Sequence, residues 1–270
     1  MNRIISILNH KGGVLKTTSA FHLGGYLAVR DRAAVLLVDC DPQGTLTKFC
    51  GYDPEATEPS LADVLLGAAT LKGVMKRTAI LGMFLIPASK RLREAEHTLR
   101  DRHGGAEALR NVLRPVAPGF AYTLIDGPPA LDLLNMNALI AGEHILIPCG
   151  SSKTDIDQLV PFFDTIDQAR EKNPELYTAG VFLTKHQQRT THSQGVLKAL
   201  HSVYPAEALE TCIPVSTDSK DSTAARQPLE IYNPKSKCAI AYAALAEEVK
   251  LRIAHVSVQQ PKEAHHHAQA

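Results

Sequence analysis

Ile4-Ile-Ser-Ile-Leu-Asn-His-Lys-Gly-Gly-Val-Leu-Lys-Thr-Thr18 is the stretch around which the rest of the chain is read. The apolar run Ile4 to Leu8 reads as a buried strand. It breaks into a loop with Gly12 and Gly13, and Lys16-Thr17-Thr18 opens a helical pattern continued by Ala20, Leu23 and Leu27. A strand, a glycine-containing loop and Lys-Thr at a helix start are the physical parts of a polyphosphate cradle. Unpaired amides at the helix N-terminus point at the anion, and the helix dipole favours negative charge there. The backbone of Gly12, Gly13, Val14, Leu15, Lys16, Thr17 and Thr18 is the candidate cradle. Lys16 would neutralise the β- and γ-phosphates, and the Thr17 hydroxyl would complete a Mg²⁺ shell.

Two further apolar runs end in acids. Ala33 to Val38 leads into Asp39-Cys40-Asp41-Pro42-Gln43-Gly44, with carboxylates at i and i+2 on one side of the pleat. Tyr122-Thr-Leu-Ile-Asp126-Gly-Pro-Pro129 is the other. In an open parallel sheet the carboxyl ends of the strands are where ligands bind. An acid closing a buried strand is also the metal-supporting position of phosphate-loop ATPases. Taken alone, loop acids solvating a turn would explain Asp39 and Asp41 as well.

Lys11-Gly-Gly-x-x-Lys16-Thr17 departs from the general phosphate-loop pattern, which has glycine where this chain has His10 and Leu15. It resembles the deviant Walker A motif of the ParA/MinD group of ATPases. Asp-x-Asp-Pro-Gln-Gly from Asp39 and Asp-Gly-Pro-Pro from Asp126 resemble that family's next two motifs. The likeness runs from about residue 3 to about residue 253, with ParA-type partition ATPases nearest in pattern. It implies an ATP- and Mg²⁺-dependent ATPase that closes as a homodimer on ATP, binds DNA without sequence preference, and hydrolyses ATP on stimulation by a ParB-like partner. Residue by residue, it implies that Lys11 acts across the dimer and that Asp41 positions the attacking water. It also implies that Asp39 lies near the Mg²⁺ shell with Thr17 and Asp126, and that Gly13 lies at the dimer seam. Leu15 must then point its side chain away from the phosphates. Arg189 sits where relatives carry a DNA-contacting arginine, although an exposed loop arginine explains it equally well. After Ile213-Pro214 relatives carry Pro-Arg-Asn-Val-Arg, whereas this chain has Pro214-Val-Ser-Thr-Asp218. That leaves Lys220, Arg226, Lys235 and Lys237 to supply positive charge, and leaves open whether Pro214 contacts adenine.

Length and composition bound the alternatives. The 270 residues suit one α/β domain, expected over 1–254 with an unstructured tail over 255–270. A net charge of +1 excludes a generally basic nucleic-acid coat but not a local patch. Five scattered cysteines without a C-x-x-C argue against a zinc site or disulfide framework. No apolar run approaches the ~20 residues that span a bilayer, and the end of the chain lacks a basic amphipathic anchor. The chain therefore reads as cytoplasmic, and the resemblance implies nucleoid association.

The expected fold is a mostly parallel, twisted sheet with helices on both faces, of the phosphate-loop NTPase type. Further strands are expected at Met83–Pro87, His144–Pro148, Ala179–Leu183 and one ending at Thr211–Pro214. Helices are expected near 59–67, over 95–113 with a break at Gly104-Gly105, and over 155–170, 193–203 and 234–253. Two other functions stay open: a nucleotide-binding adaptor with little turnover, and a metabolic enzyme on the same fold.

Overall fold

The continuous apolar runs become the interior of one sheet. The computed structural model describes residues 3–187 and 190–259, and among these seven strands form. They are β1 (Arg3–Ile7), β2 (Val35–Asp39), β3 (Lys76–Arg77), β4 (Met83–Ile86), β5 (Tyr122–Asp126), β6 (His144–Gly150) and β7 (Tyr177–Thr184). Their spatial order is β3-β4-β2-β5-β1-β6-β7, parallel throughout except where the two-residue β3 caps the β4 edge. Alternation along β2 shows why both faces are covered. Leu36 and Val38 join the apolar cluster under the helices Leu61–Leu65, Leu92–Arg100, Leu133–Ala141 and Leu159–Lys172. Val35 and Leu37 join the opposite cluster, under Lys16–Val29 and the closing helix Lys237–Gln259.

The register levels three strand ends at one edge. Ile7 and Asp39 both stand opposite Asp126, so the phosphate loop and the two acid-ended strands emerge side by side. Thr47, wholly buried, holds this edge together. Its amide and hydroxyl donate to Asp39 Oδ2 at 2.8 and 2.7 Å, and its Oγ1 accepts from Ala88 N at 2.9 Å, just beyond β4.

Four expectations need correction. The helix expected over 155–170 is two, Lys153–Asp157 and Leu159–Lys172. Pro161 has no N–H to give the Asp157 carbonyl and its ring crowds that group, so the helix restarts at Leu159. Thr211–Pro214 closes no strand. The segment covers the β7 edge through isolated bridges at Ala208 and Pro214, because the Glu248 carboxylate takes the Glu210 and Thr211 amides at 2.8 and 3.0 Å. Residues 217–224 form a helix, so the departure from a basic stretch read at Pro214–Asp218 runs into its first turn. Asp218 in its first turn accepts from Ser216 Oγ and Asn233 Nδ2 at 3.1 Å each, a structural use for the unexpected acid. The closing helix continues through Gln259, past the start of the expected tail, and residues 260–270 lie outside the described residues. The break at Gly104-Gly105 is present, as a 3₁₀ turn between helices Leu92–Arg100 and Ala108–Leu113.

Thr47→Val keeps the shape of this side chain but removes its hydroxyl, leaving the Ala88 amide buried and unpaired. It should cost about 2–3 kcal/mol, read as a lower urea midpoint at unchanged slope.

Candidate functional site

The phosphate loop forms because each residue between β1 and the following helix has somewhere to go. Asn9, almost fully buried, donates from Nδ2 to Pro148 O at 2.8 Å and accepts from the Lys11 amide at 2.9 Å, which ties the start of the loop to β6. Gly13 takes φ +75°, and Gly12 and Gly13 are exposed at the loop's tip. Val14 is buried. Leu15 caps the helix at φ 65°, ψ 31°, the left-handed conformation that a glycine adopts freely and that costs a leucine about 1–2 kcal/mol. Its side chain packs against the apolar cluster beneath the helix, so the loop is not filled from within.

Lys16 opens the helix and is buried, and its Nζ donates to Lys11 O at 3.0 Å, across the loop. Burial pushes its pKa down, against the pull of Asp126 and Asp41. Lys11 ion-pairs with Asp155, which also accepts from Ser152 Oγ at 2.5 Å. Burial alone would raise the Asp155 carboxyl, but Lys11 and Ser152 outweigh it and hold it below the usual range. Gly150 makes this possible, since a Cβ there would occupy the Asp155 carboxylate.

The two strand-ending acids differ in how they are satisfied. Asp39 accepts from Asp41 N at 3.1 Å and from both Thr47 donors, so its lone pairs are largely taken. Asp41, nearly buried, accepts from Gln43 N at 2.9 Å. Neither oxygen of the fully buried Asp126 has a hydrogen-bond partner among the described residues, although the Thr17 hydroxyl and Lys16 favour its ionised form. Burial, then the neighbouring Asp39, drives the Asp126 pKa well up, and burial raises that of Asp39. Two carboxyls side by side out of water cannot both ionise unaided. A divalent cation is the group that would permit it, and an all-oxygen set of a hydroxyl and a carboxylate suits Mg²⁺. The residues present therefore fit the ion.

The remaining predicted residues lie around this centre. Pro214 bridges to His186, one residue beyond Lys185. Lys220 and Arg226 are exposed, on and just after the helix 217–224, which is tied to the phosphate-loop helix where His22 Nε2 meets Ser219 Oγ at 3.2 Å. Arg189 lies outside the described residues. Sequence reasoning missed Asn9, Thr47, Asp155 and Lys185. A polar residue interrupting an apolar strand end signals Asn9, but only tertiary contacts identify the others.

The family model described as an AAA domain matches residues 2–178. The chromosome partitioning protein ParA of Caulobacter vibrioides is 32% identical over 250 residues, 92% of this chain and 93% of that protein. A crystal structure described as cobyrinic acid a,c-diamide synthase from Mycobacterium smegmatis, with bound ADP and magnesium, is 33% identical at a TM-score of 0.83, over 96% and 97% of the two chains. The cell division ATPase MinD of Pyrococcus furiosus is 26% identical at a TM-score of 0.77, over 93% and 99%. The chain belongs to the AAA-domain family that includes the ParA- and MinD-type ATPases.

The buried acids also set a pH dependence. The raised Asp126 carboxyl holds its proton to higher pH in the folded chain than in the unfolded one, whose pKa is about 4, so over that interval stability falls as pH rises. His10, His22, His144 and His186 are all pushed down by burial, His22 to about 3 and His144 to about 4, and oppose this up to about pH 7.5. The buried thiols join only above about pH 8. Relative to Asp126→Asn, the nucleotide-free wild type should therefore melt progressively lower as pH rises from about 5 to about 7, the histidines being common to both proteins. Lys16, whose shift runs the other way, is common to both proteins and cancels in the comparison.

Proposed function

We propose that this chain is an ATP- and Mg²⁺-dependent ATPase switch of the partition type, which dimerises on ATP, binds DNA without sequence preference and releases it after hydrolysis. The observation that carries the reading is the buried, unpartnered Asp126 carboxylate beside Lys16 and Thr17 at the mouth of the phosphate loop. Lys16 and the amides from Gly12 to Thr18 hold the phosphates, with Pro214 on the adenine side. Thr17 would bind the Mg²⁺, Asp126 would support it from behind, and Asp39 would fix the strand end beside it. The ion, when bound, neutralises charge developing on the phosphates. Asp41 orients the attacking water, and Lys11 leaves Asp155 to reach the partner's phosphates. Catalysis of this kind is positioning and charge stabilisation, without a covalent enzyme intermediate.

The chromosome-partitioning role in the name of the ParA relative supports DNA as cargo, and a ParB-like stimulating partner is the part of the cycle that follows from the resemblance of the motifs. The exposed Lys220, Arg226, Lys235 and Lys237 are the candidate phosphate-contacting cations, with Arg189 a further candidate from sequence alone. Asp218 and Asp221 offset the charge of Lys220 and Arg226, so affinity should be modest and steeply salt-sensitive. No described helix is long and apolar enough to cross a membrane. A cytoplasmic, nucleoid-associated protein fits this cycle.

The synthase-like neighbour keeps a metabolic enzyme as the second reading. A cavity of about 440 Å³ lined by Arg102, His103 and Asn111 among others includes no residue of the phosphate loop, so that cavity offers the enzyme reading no substrate site beside the nucleotide. The iron–sulfur version of that reading fares poorly, since burial pushes the Cys149 thiol up to about 12 and the Cys40 thiol well above its ordinary value.

Binding to random-sequence duplex DNA should appear with ATP, be absent with ADP or no nucleotide, and fall by at least about tenfold from 50 to 200 mM salt. Lys16→Ala should lose it with loss of nucleotide, and Lys11→Ala should lose it while nucleotide still binds. Absence of DNA binding from ATP-loaded wild type would move the assignment to another cargo or to an adaptor. Gly13→Val should stay monomeric with ATP in sedimentation under conditions where wild type dimerises, and a monomeric wild type would remove the dimer from the cycle.

A further inference from the structure

Of the lysines at the phosphate loop, one has no assigned work. Lys185 is the first residue after β7, and its Nζ lies 3.9 Å from the point where a Gly13 side chain would begin, over the exposed tip of the loop. The backbone beneath it is in the left-handed region at φ 56°, which a lysine adopts only under constraint. The constraint is visible on both sides. Ser151 Oγ donates to Thr184 O at 2.9 Å, Thr184 Oγ1 donates to Cys149 O at 3.1 Å, and the His186 amide donates to Ile213 O at 3.0 Å. The ends of β6 and β7 and the covering segment thus grip Lys185 and turn it toward the loop. An ordinary strand-end lysine would need no such backbone.

Charge makes the arrangement specific. Lys11 is neutralised by Asp155, and Lys16 feels Asp126 and Asp41. Lys185 Nζ is exposed and has no acceptor or ion-pair partner among the described residues. Three ammonium groups therefore converge on one loop while the carboxylates serve two of them. The amides at the helix start take the inner phosphates, and Lys16 is drawn back across the loop onto the Lys11 carbonyl. A cation projecting past the tip at Gly13 meets the phosphate farthest from the nucleoside.

We propose that Lys185 binds the terminal phosphate of the nucleotide and gives the site its preference for a triphosphate over a diphosphate. The inference rests on the ATPase reading and adds to it a specificity-determining residue. A charge-assisted contact of this kind at a half-open site corresponds to about a tenfold change in affinity. Because the site is open to solvent, salt should diminish the effect.

The test is calorimetric titration with Mg²⁺ and either a non-hydrolysable ATP analogue or ADP, on wild type, Lys185→Ala, Lys185→Gly, Lys185→Arg and Lys16→Ala. Lys185→Ala should bind the analogue about tenfold more weakly and ADP within threefold of wild type, with the difference narrowing at high salt. Lys185→Arg should recover most of the affinity. Lys185→Gly removes the charge and relieves the left-handed backbone, so it should melt no lower than wild type and still show the loss, which separates binding from folding. Analogue affinity within twofold of wild type in both Lys185→Ala and Lys185→Gly overturns the proposal, as does an equal loss for the analogue and ADP. If Lys16→Ala then still abolishes binding, the ATPase reading stands and only Lys185 is misassigned. A wild-type protein that binds neither nucleotide overturns both.

Discussion

Two carboxyl groups stand side by side at the ends of neighbouring central strands, out of water. Asp39 and Asp126 are register partners across β2 and β5, and both are fully buried. Burying an acid is costly unless it is paired or protonated, and the site is organised around that cost. Thr47 and the Asp41 amide satisfy Asp39, and in doing so fix the loop that carries Asp41. Among the described residues only the Thr17 hydroxyl and Lys16 favour an ionised Asp126, and neither of its oxygens has a hydrogen bond like those on Asp39, so the fold keeps one acid in a state that a cation or a proton relieves. Lys16, buried and with its pKa pushed down, is the opposite charge held in reserve across the same gap. The nucleotide-free molecule is thus less stable than its packing would allow, and a metal-bound polyphosphate is the ligand that restores the balance.

Backbone strain gathers at the same edge. Among the described residues four non-glycine positions have positive φ: Leu15, Arg32, Lys185 and Arg226. Leu15 and Lys185 border the phosphate loop, one directing its side chain into the core and the other over the loop's tip. The same conformation serves opposite ends: Leu15 clears the cradle where glycine would simply leave it empty, and Lys185 reaches into it. Residues in sparsely populated conformations persist where the surroundings over-determine them, and here those surroundings are the ends of β1, β6 and β7.

The chain's own amino acids fixed a good deal. Continuous apolar runs ending in Asp39 and Asp126 located two buried parallel strands, and Lys-Gly-Gly-x-x-Lys-Thr located the loop, because strand burial and helix-start chemistry are local in sequence. Local rules also explain the misses. A hydrophobic period reads straight through Gln158 although Pro161 breaks the helix there. The run at Thr211–Pro214 looks like a strand until Glu248, distant in sequence, takes its amides.

What the sequence determined by itself was the fold class, the phosphate loop and the acids that face it, since each depends on residues within a few positions of one another. Only the tertiary structure decided which acid is satisfied and which is left bare, that Lys11 rests on Asp155, and that Lys185 leans over Gly13. The Lys11–Asp155 and Gly13–Lys185 pairings join residues more than a hundred positions apart. Their energies come from burial and charge at the meeting point of several strand ends, and no periodicity along the chain encodes them.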